Sequence, residues 1–449
     1  MSFARYTTQT FLARAILVGF GLVAGIINAR WLGPEGVGIL ALLILVQNFA
    51  FFFGNLGFGS AFAFYVARKR ASPRQTMKLL WPIGTLMSIV SVIAILAIWH
   101  RGFSPWSDMR PAFFYLCLPL IPLFFFNNYL QRVLSGELRI TEMNIANLIM
   151  GTAHVFFLVI LVILMEIGVA GAILSLVLSG LLTLFYLVLR CSKFPAEAGQ
   201  TEQAESGAGR LTLNLWRYGR WNYLIMFANF FIEELPLIIL KKLSTYNIPV
   251  GLFARARGLG RQSRLVAFPV SRVLFPYTAA SQKAEATNRT NVLCRNCLFL
   301  MLPAVGLVAL FIKPLILLLY GEEFMPAAKI FYAIAPGIVL WPLGHFLAVH
   351  VAASGKPKAV FYANAVTAVT TAAICYFLIP RYGALGAGLS TSAIYLIRLL
   401  LQLAVYARVT GSGFSKVILP CRADWKYYKH ILETMTARFG KKRKSTYSA

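Results

Sequence analysis

Val37-Gly38-Ile39-Leu40 and Val250-Gly251-Leu252-Phe253 decide how this chain is built, because they carry the same pattern 213 residues apart. Two more echoes follow in the same order. Ser135-Gly136, closing an apolar run, returns as Ser354-Gly355 at an offset of 219. Gly168-Val169-Ala170-Gly171-Ala172 returns as Gly383-Ala384-Leu385-Gly386-Ala387 at an offset of 215. Each match is short, but three in order at nearly one offset mark an internal duplication. In a strongly apolar chain, two similar halves are the pattern of membrane proteins that hold a substrate between repeats.

Composition fixes the class around those echoes. Of 449 residues, 59% are hydrophobic and 13% charged, and the mean hydropathy is +0.70. A soluble globular chain carries roughly 25% charged residues. The remaining charge is lopsided, 43 Lys and Arg against 15 Asp and Glu. Loading of cytoplasmic loops with basic residues accounts for it. Nucleic-acid binding is set aside, because no soluble domain is present to carry it. The cysteines are scattered: Cys294-Arg295-Asn296-Cys297 has metal-ligand spacing but no second pair or histidine partner nearby, so no metal site is expected. The first apolar run contains Arg14 and has no clear cleavage site, and it reads as a retained membrane helix.

The reading outward gives an all-α polytopic membrane protein with about twelve transmembrane helices in two six-helix lobes. Runs long enough to cross about 30 Å of hydrocarbon lie near residues 9–30, 36–66, 79–99, 111–131, 145–166, 169–190, 218–240, 249–279, 296–320, 328–353, 359–379 and 384–407. The second and eighth are longer than a span needs, which leaves them tilted, broken or extended beyond the bilayer. Loops after even-numbered spans hold roughly seventeen Lys and Arg, among them Arg68-Lys69-Arg70, against roughly seven in the opposite loops. Both termini are therefore expected in the cytoplasm. The polar, acidic stretch from Ser192 to Gly209 falls where the two lobes should join and reads as a linker. The division expected is a lobe over 1–190, a linker over 191–217, a lobe over 218–408 and a basic tail over 409–449. In the tail, Tyr428, Ile431, Leu432, Met435 and Phe439 recur at helical spacing before Lys441-Lys442-Arg443-Lys444. An interfacial helix on anionic lipid and a disordered basic tail both fit that pattern.

Catalytic and cofactor machinery is missing. No phosphate-binding G-x-x-x-x-G-K-[ST] occurs, the histidines form no His-x-x-x-His pair, and neither an enzyme activity nor a cofactor is expected. The chemistry lies instead in span eight, with Arg255, Arg257, Arg261, Arg264 and Arg272. At 100° per residue Arg257, Arg261, Arg264 and Arg272 fall within about 80° of one face, and Arg255 points elsewhere. An arginine at mid-bilayer costs roughly 2.5–3.5 kcal/mol, so Arg257, Arg261 and Arg264 should face a wet cavity between the lobes. Snorkelling to the interfaces is the competing reading, and it suits Arg272. Arginine's planar fork is suited to holding phosphate there. Arg14 in span one, Asn48 in span two and Arg255 complete the substrate-binding candidates. Glu233 and Glu234 of span seven read equally as ion carriers and as counter-ions to these arginines. Asn55, Asn127-Asn128 and Asn229 would line the same cavity or serve as packing between helices.

Four strings carry a resemblance. Ala29-Arg30-Trp31-Leu32-Gly33-Pro34-Glu35-Gly36-Val37-Gly38 resembles the first-loop motif of bacterial polysaccharide and O-antigen flippases, members of the multidrug/oligosaccharidyl-lipid/polysaccharide (MOP) exporter superfamily. Leu319-Tyr320-Gly321-Glu322-Glu323-Phe324, Ser354-Gly355-Lys356-Pro357-Lys358 and Leu378-Ile379-Pro380-Arg381-Tyr382-Gly383-Ala384-Leu385-Gly386-Ala387 resemble the same family, in the right order. The likeness runs from about Thr8 to Arg408. It implies two six-helix lobes, alternating access and a polyprenyl-diphosphate-linked oligosaccharide as substrate in the bacterial cytoplasmic membrane. Partners expected on this reading are that lipid-linked oligosaccharide, membrane lipids, and polysaccharide polymerase and chain-length proteins. The chain departs from the family's commoner look at Glu233-Glu234, which stands about where an aspartate often occurs. A cation-coupled multidrug exporter of the same superfamily is the nearest alternative, although spans one to four offer no acidic residue to a cavity. A membrane glycosyltransferase or polymerase is disfavoured by the short outer loops, and a peptidoglycan-precursor flippase by the helix count.

Overall fold

The computed structural model describes residues 3–67, 71–102, 106, 109–194, 208–262 and 264–419, and among them every regular element is helical. The first half runs through α1 (Phe3–Gly54), α2 (Phe58–Ala67), α3 (Pro73–His100), α4 (Pro111–Cys117), α5 (Leu120–Gly136), α6 (Ile140–Leu158) and α7 (Val169–Ser192). The second half runs through α8 (Ala208–Leu243), α9 (Ile248–Arg261), α10 (Arg264–Ala280), α11 (Lys283–Leu310), α12 (Ile312–Tyr320), α13 (Pro326–Ala353), α14 (Pro357–Thr410) and α15 (Phe414–Ile418). The middle of the expected linker and the amphipathic tail lie outside the described residues.

Local sequence sets the boundaries. α3 begins in a capping box: the Ser72 hydroxyl accepts from the Gln75 amide, the Gln75 side chain accepts from the Ser72 amide, and Pro73 occupies the first helical position. Pro111, Pro326 and Pro357 open α4, α13 and α14 in the same way. Gly411, with φ 76°, ends α14 by returning its amide to the Ala407 carbonyl.

Two helices turn broad apolar faces outward and small or hydroxyl-bearing residues inward. α3 buries Gly84, Ser88 and Ser91 and exposes Leu86, Ile89, Val90 and Ile93. α14 buries Thr367 and Thr371 and exposes Val366, Val369, Tyr376 and Phe377. Small and hydroxyl-bearing residues let helices approach, and the hydroxyls bond back to their own helix, as Thr371 does to the Thr367 carbonyl. The apolar faces belong in lipid, where every backbone group is satisfied within its helix. This is a multi-pass membrane protein.

Nine helical stretches among the described residues are long and apolar enough to cross a membrane, not twelve. The difference has three local causes. The expected first and second spans run together within α1, which turns at Gly33 (φ 63°), and the expected eleventh and twelfth run together within α14, which turns at Gly383 (φ 55°). The expected eighth span is divided into α9 and α10, each too short to qualify. The second expected span is also broken: Leu56 and Gly57 take positive φ between α1 and α2.

Two of the three echoes are structural equivalents. Gly168 (φ 66°, ψ −137°) precedes α7 and Gly383 (φ 55°, ψ −129°) interrupts α14, the same left-handed reversal in both halves. The Val-Gly echo forms the seam itself. A Cβ on Gly38 would run into the Asn247 carbonyl oxygen, and a Cβ on Gly251 into that of Pro34. Asn247 stands 213 residues after Pro34, so the contact is reciprocal under the repeat. The Ser-Gly echo is not equivalent: Gly355 takes φ 80°, whereas Gly136 is helical and the positive φ falls on Leu138. Its odd offset reflects this.

Candidate functional site: a cationic cavity between the halves

α9 packs against α1 along the seam, and its sequence Ala254-Arg255-Ala256-Arg257-Gly258-Leu259-Gly260-Arg261 alternates guanidinium groups with small residues. Arg255, Arg257 and Arg261 line a cavity of ≈ 340 Å³ together with Asn28 and Asn48 of α1, His154 of α6 and Glu234 of α8. The walls therefore come from both halves.

The charge in this cavity is not balanced. Glu234 Oε1 accepts from Arg257 Nη2 at 2.7 Å and from Arg261 Nη2 at 2.9 Å. Arg255 makes no ion pair among the described residues. Its guanidinium carbon lies 5.9 Å from the Tyr320 ring centroid, a cation–π contact. One carboxylate thus serves three guanidinium groups. Arg255 Nε, Arg257 Nη1 and the Asn28 Oδ1 are buried without hydrogen-bond partners. Buried polar atoms left unpaired cost free energy until a partner arrives, and the excess here is of positively charged donors. His154 is held in place through Nδ1 by the Ser175 hydroxyl at 3.2 Å.

The structure brings together Asn48, Arg255, Arg257, Arg261 and Glu234 from the expected set. Arg255 corrects the sequence reading, which pointed it away from the other arginines. It reaches the cavity because Gly25 leaves room on α1: a Cβ there would lie 3.2 Å from Arg255 Nη1. Arg264 begins α10 beyond the break, so the continuous-helix arithmetic that grouped it with Arg257 does not apply, and its side chain lies outside the described residues. Arg14 stands off the cavity lining, with its guanidinium carbon 5.9 Å from the Phe268 ring centroid. Glu233 turns into the second half, accepting from Trp341 Nε1 at 3.3 Å and from the Tyr395 hydroxyl at 3.2 Å. Asn229 accepts from Asn364 at 3.3 Å, and Asn127 and Asn128 line a separate cavity within the first half.

Asn28, His154 and Tyr320 were missed. Asn28 carried a usable signal, a lone amide in an apolar run. Arg398, buried in the middle of the part of α14 that follows Gly383, carried a stronger one, because a charge within a span is costly wherever it sits. His154 and Tyr320 had none in sequence, since only the fold brings them to α9.

Family strings meet at the seam. The Arg30 guanidinium donates to the carbonyls of Leu318 and Leu319, and a Cβ on Gly33 would lie 3.2 Å from Glu323 Oε2. The first-loop string of one half thus abuts the Leu319–Phe324 string of the other.

Comparison with known proteins agrees with this geometry. A Shigella flexneri protein assigned as an O-antigen transporter is 22% identical over 409 residues, covering 85% of this chain and 92% of its own. Among solved structures, the lipid II flippase MurJ in an inward closed conformation superposes with a TM-score of 0.68 at 15% identity, over 89% of this chain and 87% of its own. An inward-facing multidrug resistance MATE family transporter of the MOP superfamily superposes with a TM-score of 0.66 at 15% identity, over 88% and 95%. These superpositions identify the fold. Residues 4–282 match the family described as polysaccharide biosynthesis protein. That match spans more than half of the sequence, and this chain belongs to the polysaccharide biosynthesis protein family.

Proposed function

We propose that this chain is a flippase that moves a polyprenyl-diphosphate-linked oligosaccharide across the bacterial cytoplasmic membrane by alternating access, for assembly of a surface polysaccharide. Both termini would lie in the cytoplasm. The observation that carries the reading is the cavity at the seam, with three arginines against one carboxylate. The diphosphate would bind there by charge-assisted hydrogen bonds, taking the donors that Arg255 and Arg257 leave unpaired. The polyprenyl tail would stay in lipid. Glu234 acts in this scheme as the counter-ion that holds Arg257 and Arg261 when the site is empty. The named relatives support transport of this kind of cargo: one is assigned to O-antigen and one to lipid II.

The test is complementation of a strain lacking this chain. The Arg255→Gln/Arg261→Gln variant, which leaves the buried Arg257–Glu234 pair in place, should lose surface polysaccharide export while its membrane abundance is unchanged. Full export by that variant would refute the anion-binding role. A cation-coupled drug exporter would need a free acid in the cavity, and the one acid there is paired with two arginines. Ethidium efflux by the purified chain in vesicles would revive that alternative.

A further inference from the structure

A second cavity, ≈ 250 Å³, lies inside the first half between α1, α5, α6 and α7. Its polar lining is five amides: Gln47, Asn127, Asn128, Gln131 and Asn147. Among the described residues, no Asp, Glu, Lys, Arg or His lines it. In sequence, such amides read as packing between helices, but that is not what most of them do. Among the described residues, Asn127 is the only one of the five with a hydrogen bond, from its Nδ2 to the Gly180 carbonyl at 3.1 Å. That bond fixes the amide plane, and the Asn127 Oδ1 is buried with no partner. The other four make no side-chain hydrogen bond among the described residues and keep their donors and acceptors uncommitted.

Uncommitted amides around a cavity are left for water or a ligand to satisfy, and the buried Asn127 Oδ1 costs free energy until one does. Each amide offers donors and acceptors together and no net charge. That chemistry matches hydroxyl and acetamido groups, and it supplies no charge to offset that of a phosphate or a cation. The volume exceeds the ~150 Å³ of an engineered cavity that holds benzene, which leaves room for one sugar ring.

The position completes the argument. Asn147 and Met150 of α6 line the amide cavity, and His154, on the same face of that helix, lines the arginine cavity. The seven residues from Asn147 to His154 rise about 10 Å. On α1, Gln47 faces the amide cavity and its neighbour Asn48 the cationic one. A head group with its diphosphate on the arginines would place its nearest sugars at the amides.

We propose that the amide-lined cavity is a subsite for the uncharged sugar rings next to the diphosphate. This rests on the flippase reading and names which part of the cargo each cavity takes. The substrate is then gripped in two parts, its charge at the seam and its sugar within the first half.

The test is binding to the purified full-length chain in lipid nanodiscs with two probes, bare polyprenyl diphosphate and the same lipid bearing one N-acetylhexosamine. Wild-type protein should bind the sugar-bearing lipid about tenfold more tightly, the effect of one or two net hydrogen bonds between neutral groups. The Asn128→Leu/Asn147→Leu variant should bind both lipids equally, with its affinity for the bare lipid unchanged. Equal binding of the two probes by wild-type protein overturns the subsite without needing any variant to fold. A variant that keeps the sugar preference overturns it as well. Loss of binding to the bare lipid alone counts against the cationic cavity instead. In that case, sugar-dependent binding abolished by the double substitution still supports the amide subsite, and no binding of either probe overturns it too.

Discussion

Glu234→Gln should destabilise the protein more than any surface charge change and should make it dependent on an anionic ligand. The perturbation is nearly isosteric and removes one charge. Its size follows from burial. Arg257 and Glu234 keep only 7% and 12% of their side chains exposed, and their atoms approach to 2.7 Å. Breaking a buried pair by neutralising one partner costs about 3–5 kcal/mol, because the other charge is left in low dielectric without compensation. The Arg261 pair contributes far less: at 42% exposure its guanidinium is still hydrated, and a pair of that kind is worth under about 1 kcal/mol. Arg257→Met should cost a similar few kcal/mol, by leaving Glu234 with a half-hydrated partner. The double variant should recover most of the loss, since replacing both members of a buried pair by neutral groups is often near neutral. The assay is thermal unfolding of the purified protein followed by tryptophan fluorescence, with and without polyprenyl diphosphate. The ligand should stabilise Glu234→Gln more than wild type, because it takes the place of the missing anion. Additive losses in the double variant, or no loss in either single one, would show that the buried pair does not hold this energy.

Two further outcomes follow from the seam and the reversals. Gly251→Ala places a Cβ against the Pro34 carbonyl; forcing the helices apart should cost about 1–3 kcal/mol and stop polysaccharide export, while Gly19→Ala, with open space around it, should leave export intact. Gly168→Ala and Gly383→Ala each force an alanine into positive φ, at a cost of about 1–3 kcal/mol, so both should lower the melting temperature by similar amounts.

Much of this architecture was legible because duplication leaves marks that composition does not. Gly38 and Gly251 stand out as an echo, and each lies against backbone of the other half across the seam. Gly168 and Gly383 were found the same way and share one backbone reversal. The excess length of the eighth span allowed for a break, but the position of the break was not legible. It falls after Arg261, while Pro269 and Pro276, the residues expected to interrupt a helix, sit inside α10. Helical-face arithmetic therefore held for Arg257 and Arg261, four residues apart on one unbroken helix, and failed for Arg264. It failed differently for Arg255, which reaches the same cavity because of its neighbour Gly25, a residue that could not be seen from α9 alone. The amides were visible as residues but not as a cavity, because their uncommitted state depends on which helices face them.

The reciprocal contact of Gly38 with Asn247 and of Gly251 with Pro34 is what a two-fold dimer makes, patch i on patch j and patch j on patch i. A dimer of identical subunits would have to carry every arginine twice, one copy on each wall. Fusing the two subunits into one polypeptide removes that obligation. The surfaces that must meet stay alike, and the surfaces that only face the cargo are free to differ. Arg257 and Arg261 correspond at the 213-residue offset to Ile44 and Asn48, so one wall is cationic and the other is neutral. On the proposed flippase reading the head group sets a charged diphosphate beside uncharged sugars, and a cavity with two unlike walls can tell them apart, which a symmetric one cannot.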